Sequence, residues 1–157
     1  MSSGITNVAS ADQVYVDPSA LSCLYVHHAE RSGRVAKWRM RIKGALAVTH
    51  HGRVEIVNAI CRARFTGDLD RLACDEALAD LDSDFADGRL RQADLLWRAA
   101  LNRATALSCE FTPQFGTRGA DVLHVACALE MKCTHFLTFD ERQETLARAV
   151  GMKIVST

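Results

Sequence analysis

The sequence predicts an α/β domain built around a largely parallel β-sheet, and three observations carry that prediction. Short runs rich in β-branched and aromatic residues alternate with longer runs whose apolar residues recur at helical spacing, the pattern of βαβ units. One helical run, Thr117 to Met131, is apolar on nearly every side (Val122, Leu123, Val125, Ala126, Leu129), as an internal helix is and an amphipathic surface helix is not. The length of 157 residues suits one domain with a sizeable core, and no internal repeat or low-complexity segment interrupts it.

Taken in order, residues 1–12 are small and polar and read as a loosely ordered tail, so the domain is expected over 13–157. Gln13 to Asp17 (QVYVD) has the composition of a strand. Pro18 stops it and pre-sets the first turn of a helix, expected to about Glu30, with Asp17 as its N-cap. Arg34 to Gly44 fits a basic helix with Val35, Trp38 and Ile42 at helical spacing. Ala45 to Thr49 is ambiguous between helix tail and strand and is read as a strand. A helix from about Gly52 to Phe65 follows, with Val54, Val57, Ile60 and Cys61 as its inner face and Gly67 just past its end. Asp68 can cap the next helix, which runs to about Ala86 with Leu69, Leu72, Ala73 and Leu81 inward and its acids outward. Gly88 ends it, Arg89 to Gln92 reads as a short strand, and Asp94 caps a helix reaching about Cys109. Glu110 to Gly116, which contains Pro113, reads as a loop. Beyond the internal helix come a strand (Thr134 to Phe139), a helix (Glu141 to Val150, with Gly151 at C′) and a last strand, Met152 to Val155.

Formal net charge is zero, so overall charge does not argue for a nucleic-acid partner. The distribution is uneven, however. Arg31, Arg34, Lys37, Arg39, Arg41 and Lys43 follow one another with no acid between them, whereas Asp68 to Asp87 holds eight acids against the single base Arg71. Such segregation can make a local positive face on a neutral protein. The six cysteines form no Cys-x-x-Cys pair, and most sit in apolar helical patterns, where a free thiol acts as a small hydrophobe. With no signal peptide, the expectation is reduced thiols in the cytoplasm. No apolar run approaches the roughly 18 residues of a membrane span, so no membrane partner is expected.

The functional clue is a conflict within Gly116 to Glu141. An ionised Asp121 and a His124 on an otherwise buried helix cost free energy unless they are paired or bound to a metal. Asp140 ends the strand that follows, and Asp17 ends the first one. In an open parallel sheet both would lie on the edge where ligands bind, beyond the carboxyl ends of the strands. Asp121 begins the helix leading to that strand, and Glu55 lies near the start of its own helix, so four acids can converge at one mouth. Like charges 4 Å apart repel by about 4 kcal/mol per pair at an effective dielectric of about 20, so such a cluster takes up protons or holds a cation. Carboxylates without thiolates suit hard cations, Mg²⁺ or Mn²⁺ rather than zinc, and the chemistry implied is phosphodiester hydrolysis.

Each acid also has a simpler explanation. Asp17 and Asp140 can serve as N-caps, and Asp121 and Glu55 in first turns are favoured by the helix dipole. His124 is expected to be a structural imidazole bonded to Asp121 or to backbone, and His50 and His51 to be solvated loop residues. Trp38 is expected to face the core rather than to stack on a base. Arg118, three residues before Asp121, is placed for a phosphate or as a salt-bridge partner of the acids. P-loop and serine-hydrolase motifs are absent, and no base is placed to activate a cysteine.

VYVDPSALSCLY resembles the opening strand and helix of PIN-domain nucleases, especially VapC-type toxins of toxin–antitoxin systems. RVEIVNAICR is similar to their second acidic motif, and GADVLHVACAL with THFLTFDERQ to their third and fourth, in the family's order from about Val14 to Val155. The resemblance implies a three-layer α/β/α fold with a central, mainly parallel sheet and Mg²⁺- or Mn²⁺-dependent endoribonuclease activity on RNA. It implies Asp17, Glu55, Asp121 and Asp140 as the catalytic quartet. Asp17, Asp121 and Asp140 would hold the metal, Glu55 would ligate it or orient the attacking water, and Ser19 and Thr138 would be polar support. Arg118 and the basic segment would contact RNA. It further implies a cognate antitoxin over the active site and a homodimer of toxin subunits. Pro18 stands where the family commonly has Thr or another small residue, which suits a helix start. A housekeeping PIN nuclease of RNA processing is the first alternative. A non-catalytic acidic-pocket domain, resembling a response-regulator receiver or serving only interaction, is the second.

Overall fold

The β-branched runs become five short strands, all parallel, in the computed structural model, which describes residues 10–157. β1 (Val14–Val16) pairs with β4 (His135–Leu137), and β4 with β5 (Lys153–Ile154). β2 (Leu46–Val48) pairs with β3 (Leu90–Gln92) in a separate two-stranded ladder; β2 packs beside β1 without being paired to it, so the strands follow in space as β3-β2-β1-β4-β5. The chain therefore moves outward from β1 on one side and then crosses to β4 on the other. β1 sits at the topological switch point, where open α/β sheets bind ligands. Val16 lies opposite Leu137, and the amide of Asp17 donates to the Leu137 carbonyl at 2.9 Å, so the chain leaves β1 and β4 at one edge.

The α-helices among the described residues are α1 (Pro18–Leu21), α2 (Ser32–Arg41), α3 (His50–Thr66), α4 (Arg71–Ala86), α5 (Trp97–Phe115), α6 (Gly119–Glu130) and α7 (Glu141–Ala149). The strand pleat sorts them into two cores and makes the fold a three-layer α/β/α sandwich. Val14, Val16 and Leu137 join Leu21, Trp38, Ile56, Ile60 and Leu81 on one face. Tyr15 and Phe136 join Ala100, Val122, Val125 and Leu146 on the other. Trp38 is buried in the first core, as expected from its spacing, and is closed to a nucleic-acid base. Among the described residues no helix is long and apolar enough to cross a membrane.

Several boundaries differ from the expectations, each for a local reason. The first helix stops at Leu21 and continues only as a 3₁₀ turn, Ser22–Leu24, instead of reaching Glu30. The Ser32 hydroxyl donates to the Cys23 carbonyl (2.7 Å) and accepts from the His28 amide (2.8 Å), folding 25–31 into a turn. α3 begins at His50 because Thr49 caps it through the Gly52 amide at 3.0 Å. Its inner face is then Gly52, Ile56, Ile60 and Ala63, while Val54 (67% exposed) and Cys61 face solvent. α4 is capped by Asp70, which accepts from the Ala73 amide at 2.8 Å, whereas Asp68 accepts from the Thr66 hydroxyl. Cys74, Ala77 and Leu81 turn inward and Leu72 does not. Asp94 caps nothing: α5 starts at Trp97 and runs through Pro113 to Gly116, whose left-handed φ of 63° ends it. Pro113 is exposed within the last turn, so the carbonyl whose partner it removes can turn to water. Of the expected 1–12 tail, residues 1–9 lie outside the described residues. Ala11–Gln13 is a 3₁₀ turn with Ala11 buried, its amide bonded to the Lys43 carbonyl at 3.1 Å.

Gly52 is where α3 meets α1. A Cβ there would lie 2.9 Å from the Thr49 Oγ1 and 3.2 Å from the Pro18 Cγ. Gly52→Ala gains about 1 kcal/mol of helix propensity. It loses about 1 kcal/mol of cap and about 1–3 kcal/mol of strain against the proline ring. Urea unfolding should find the variant less stable by roughly 1–3 kcal/mol, and equal stability would mean that the contact relaxes freely.

Candidate active site

The carboxyl ends of β1 and β4, the stretch of α3 from Glu55 to Ala59 and the start of α6 border a cleft of about 370 Å³. Asp17, Ser19, Glu55, Asp121, His124 and Asp140 all line it. Asp17 is only 7% exposed; one carboxylate oxygen accepts from the Ser19 hydroxyl and the other from the Gln143 side-chain amide at 3.4 Å. Burial raises its pKa; His124, Ser19 and Gln143 work in the opposite direction without cancelling that rise, and Glu55 adds to it. Asp140 caps α7, its Oδ1 accepting from the amides of Arg142 (2.9 Å) and Gln143 (3.0 Å). The buried Thr138 hydroxyl accepts from the Asp140 amide at 3.1 Å, fixing that turn from behind the cleft. Asp121 reaches back to the Arg118 amide at 3.3 Å, while the exposed Arg118 does not line the cleft.

His124 is bonded neither to Asp121 nor to backbone, contrary to expectation. Its Nε2 meets Glu55 at 2.8 Å and its Nδ1 meets the Tyr15 hydroxyl at 2.6 Å, with Asp17 at 4.0 Å. Burial alone would raise the Glu55 pKa, but the contact with His124 outweighs it and holds the carboxyl below its ordinary value. His50 and His51 are not loop residues but form the first turn of α3. His51 stacks on His124 at 4.7 Å and meets Trp97 edge-on at 5.0 Å, and neither of its ring nitrogens has a partner among the described residues. Burial and the neighbouring His124 lower its pKa to about 4, against a smaller opposing effect of Glu55.

Three residues of this site escape sequence reasoning: Tyr15, His51 and Gln143. Gln143 is 1% exposed and touches all three acids proposed as ligands. Its side-chain amide approaches the Asp121 carbonyl at 3.5 Å as well as Asp17, and its backbone amide is held by Asp140. A polar residue at a buried helix position, three after a capping acid, is the one sequence signal it leaves.

A divalent cation fits this donor set by its chemistry. Four carboxylates line one cleft, and Asp17 is a buried charge whose neighbours do not fully compensate it. The geometry is not pre-formed: among the described residues no three such side chains converge closely enough to hold an ion. The free cysteines stand apart, with burial pushing Cys127 up to about 12 and Cys133 up to about 11. Cys127 and Cys133 therefore stay as unreactive thiols near neutrality.

The family model described as PIN domain matches residues 14–149. No curated protein matches the chain.

Two stability measurements probe these environments. Because the folded pKa of Asp17 lies above its ordinary 3.8, ionisation penalises the native state above the raised value and not below 3.8. In chelator at neutral pH, Asp17→Asn should therefore melt higher, by roughly 2–4 °C per kcal/mol relieved, and the gain should vanish as pH falls towards 3.8. An equal or lower melting temperature at neutral pH would contradict the uncompensated charge. His51 has the opposite sign: the unfolded chain takes its proton near 6.5 and the native state only near 4. The melting-temperature difference between wild type and His51→Phe should be constant above pH 6.5 and shift in favour of the variant between 6.5 and 4. A pH-independent difference would refute that environment.

Proposed function

The chain belongs to the PIN domain family, and from that premise we propose that it is a metal-dependent endoribonuclease, the VapC-type toxin of a toxin–antitoxin pair. The observation that carries the reading is the meeting of Asp17, Glu55, Asp121 and Asp140, from four separate elements, at one cleft on the carboxyl edge of the sheet. Asp17, Asp121 and Asp140 would hold Mg²⁺ or Mn²⁺, whose contribution when bound is to acidify a water and neutralise charge on the phosphodiester. Glu55 orients the attacking water and accepts its proton, a role suited to a partly exposed carboxylate kept ionised. Ser19 and Thr138 fix the orientation of Asp17 and of the Asp140 turn.

RNA contacts fall to Arg118, Arg31 and Arg34, of which Arg118 and Arg34 are exposed and Arg31 half-buried. Arg118 starts α6 beside Asp121 and can meet a phosphate there. Arg31 and Arg34 lie over the Phe139 ring at 5.0 and 5.3 Å, immediately before Asp140, and extend a cationic track along the same edge. The other side of the basic segment is structural, since Arg39 donates to the carbonyls of Ile42, Gly44 and Arg89. A single catalytic domain over 13–157, acting in the cytoplasm as a homodimer and silenced by an antitoxin over the cleft, completes the reading.

Purified protein should cleave RNA only with Mg²⁺ or Mn²⁺, and chelation should abolish cleavage. Asp17→Asn and Asp121→Asn should each fall below about one-hundredth of wild type, since loss of a ligand exceeds the 10–100-fold cost of losing an outer partner. Full activity in both variants would sink the assignment. Expression should arrest growth, and arrest should be relieved by a co-expressed partner. Cleavage without arrest would make the protein an RNA-processing nuclease instead.

A further inference from the structure

We infer that His124 is the positioning residue for Glu55: the hydrogen-bonded chain Tyr15–His124–Glu55, clamped by the stacked ring of His51, holds the Glu55 carboxylate in one orientation at the cleft. The catalytic part of this inference rests on the nuclease reading; the hydrogen-bonded chain itself does not.

Glu55 needs such a hold. Its side chain is 43% exposed, and a free glutamate gives up about 1.5–2 kcal/mol of rotamer freedom when fixed. A base that must face one water works only when that cost has been met in advance. His124 comes from α6, across the cleft from α3, and is itself 2% exposed. Its 2.8 Å contact goes to Glu55, whereas Asp17 at 4.0 Å lies beyond hydrogen-bond reach.

The proton positions follow from the partners. A carboxylate only accepts, so Nε2 must carry a hydrogen whenever it meets Glu55. A phenolic hydroxyl, whose ordinary pKa is about 10, keeps its proton near neutral pH. A neutral ring then satisfies both contacts in one tautomer only, with Tyr15 donating to Nδ1 and Nε2–H donating to Glu55. Protonation of the ring would reverse only the Tyr15 bond and leave Nε2–H on Glu55, so the hold does not depend on the ring's charge. His51 fixes the ring plane, with an interplanar angle of 22°, and its own nitrogens bond nothing that His124 uses. A histidine serving only the core needs no partner at the cleft, and this one has Glu55.

Long-range ¹H–¹⁵N spectra of histidine-labelled protein in chelator, together with steady-state cleavage kinetics, test the inference. In the neutral wild-type ring of His124, Nε2 should be protonated and Nδ1 bare; Tyr15→Phe should keep that tautomer, because Glu55 still accepts from Nε2, and Glu55→Ala should give mixed tautomers. His124→Leu, apolar and without a donor, should lower kcat about 10–100-fold with KM within about twofold. His124→Gln, whose amide donates from near the Nε2 position, should recover part of that loss. A ring protonated at Nδ1, a His124→Leu variant at wild-type kcat, or equal activity in the Leu and Gln variants would overturn it. Should His124→Leu fail to fold, Tyr15→Phe and His124→Gln decide by the same readouts. Wild-type protein that cleaves no RNA would remove the nuclease reading, and the tautomer spectra would still decide the hydrogen-bonded chain.

Discussion

A carboxylate removed from water at the end of the first strand is the constraint around which the rest of this molecule is arranged. Asp17 stays beside its partners because β1 and β4 are in register, which brings its amide to the Leu137 carbonyl and its side chain to Gln143 of α7. Pro18 starts α1 without needing an amide partner, and Ser19 then returns a hydroxyl to Asp17. These contacts orient the acid but do not offset its desolvation, as the raised pKa records. The native state therefore carries an electrostatic deficit at the cleft, and a bound cation relieves such a deficit. Stability given up at one residue in this way is expected of a binding site and has no use in a cap.

How much of this was legible in the sequence depends on the kind of signal. Asp17, Asp121 and Asp140 stand at element boundaries, where Pro18, the internal helix and Phe139 make the change of periodicity plain, so their common edge followed from the parallel sheet alone. Helix faces were less legible. The start of α3 fell two residues earlier than expected, at His50 rather than Gly52, because Thr49 is an N-cap hidden inside a strand-like run; separately, its apolar residues lie on more than one side, and Val54 and Cys61 face solvent while Gly52, Ile56 and Ala63 face inward. Pro113 read as a loop because a proline one turn from a helix end looks the same in sequence as a proline outside it.

The partners of the acids were the least legible part, for a physical reason. Asp17 and Gln143 are 126 positions apart, Tyr15 and His124 109, and Glu55 and His124 69, so no local spacing encodes any of these contacts. Each arises only when the two sheet faces close. Tyr15 looked like one more strand residue, and Gln143 like an ordinary position on a polar helix. His124 was visible as an anomaly, but its nearest acid in sequence, Asp121, is not the one it bonds.

That last difference bears on how the site is built. In α6 the residues three and four apart share a face, so Asp121 and His124 were natural partners by spacing. The fold separates their tasks instead. Asp121 sits in the first turn with its carboxylate returned to the Arg118 amide, at the mouth of the cleft. His124, one turn deeper, lies in the wall of the cleft, where Tyr15 from β1 and Glu55 from α3 reach its two nitrogens from opposite sides. One buried helix thus presents an acid to the cleft and, through its histidine, ties the second acidic motif to the central strand. The free energy of burying an imidazole is recovered by bonding both of its nitrogens. Its geometry fixes how the helix carrying Glu55 sits against the sheet edge carrying Asp17.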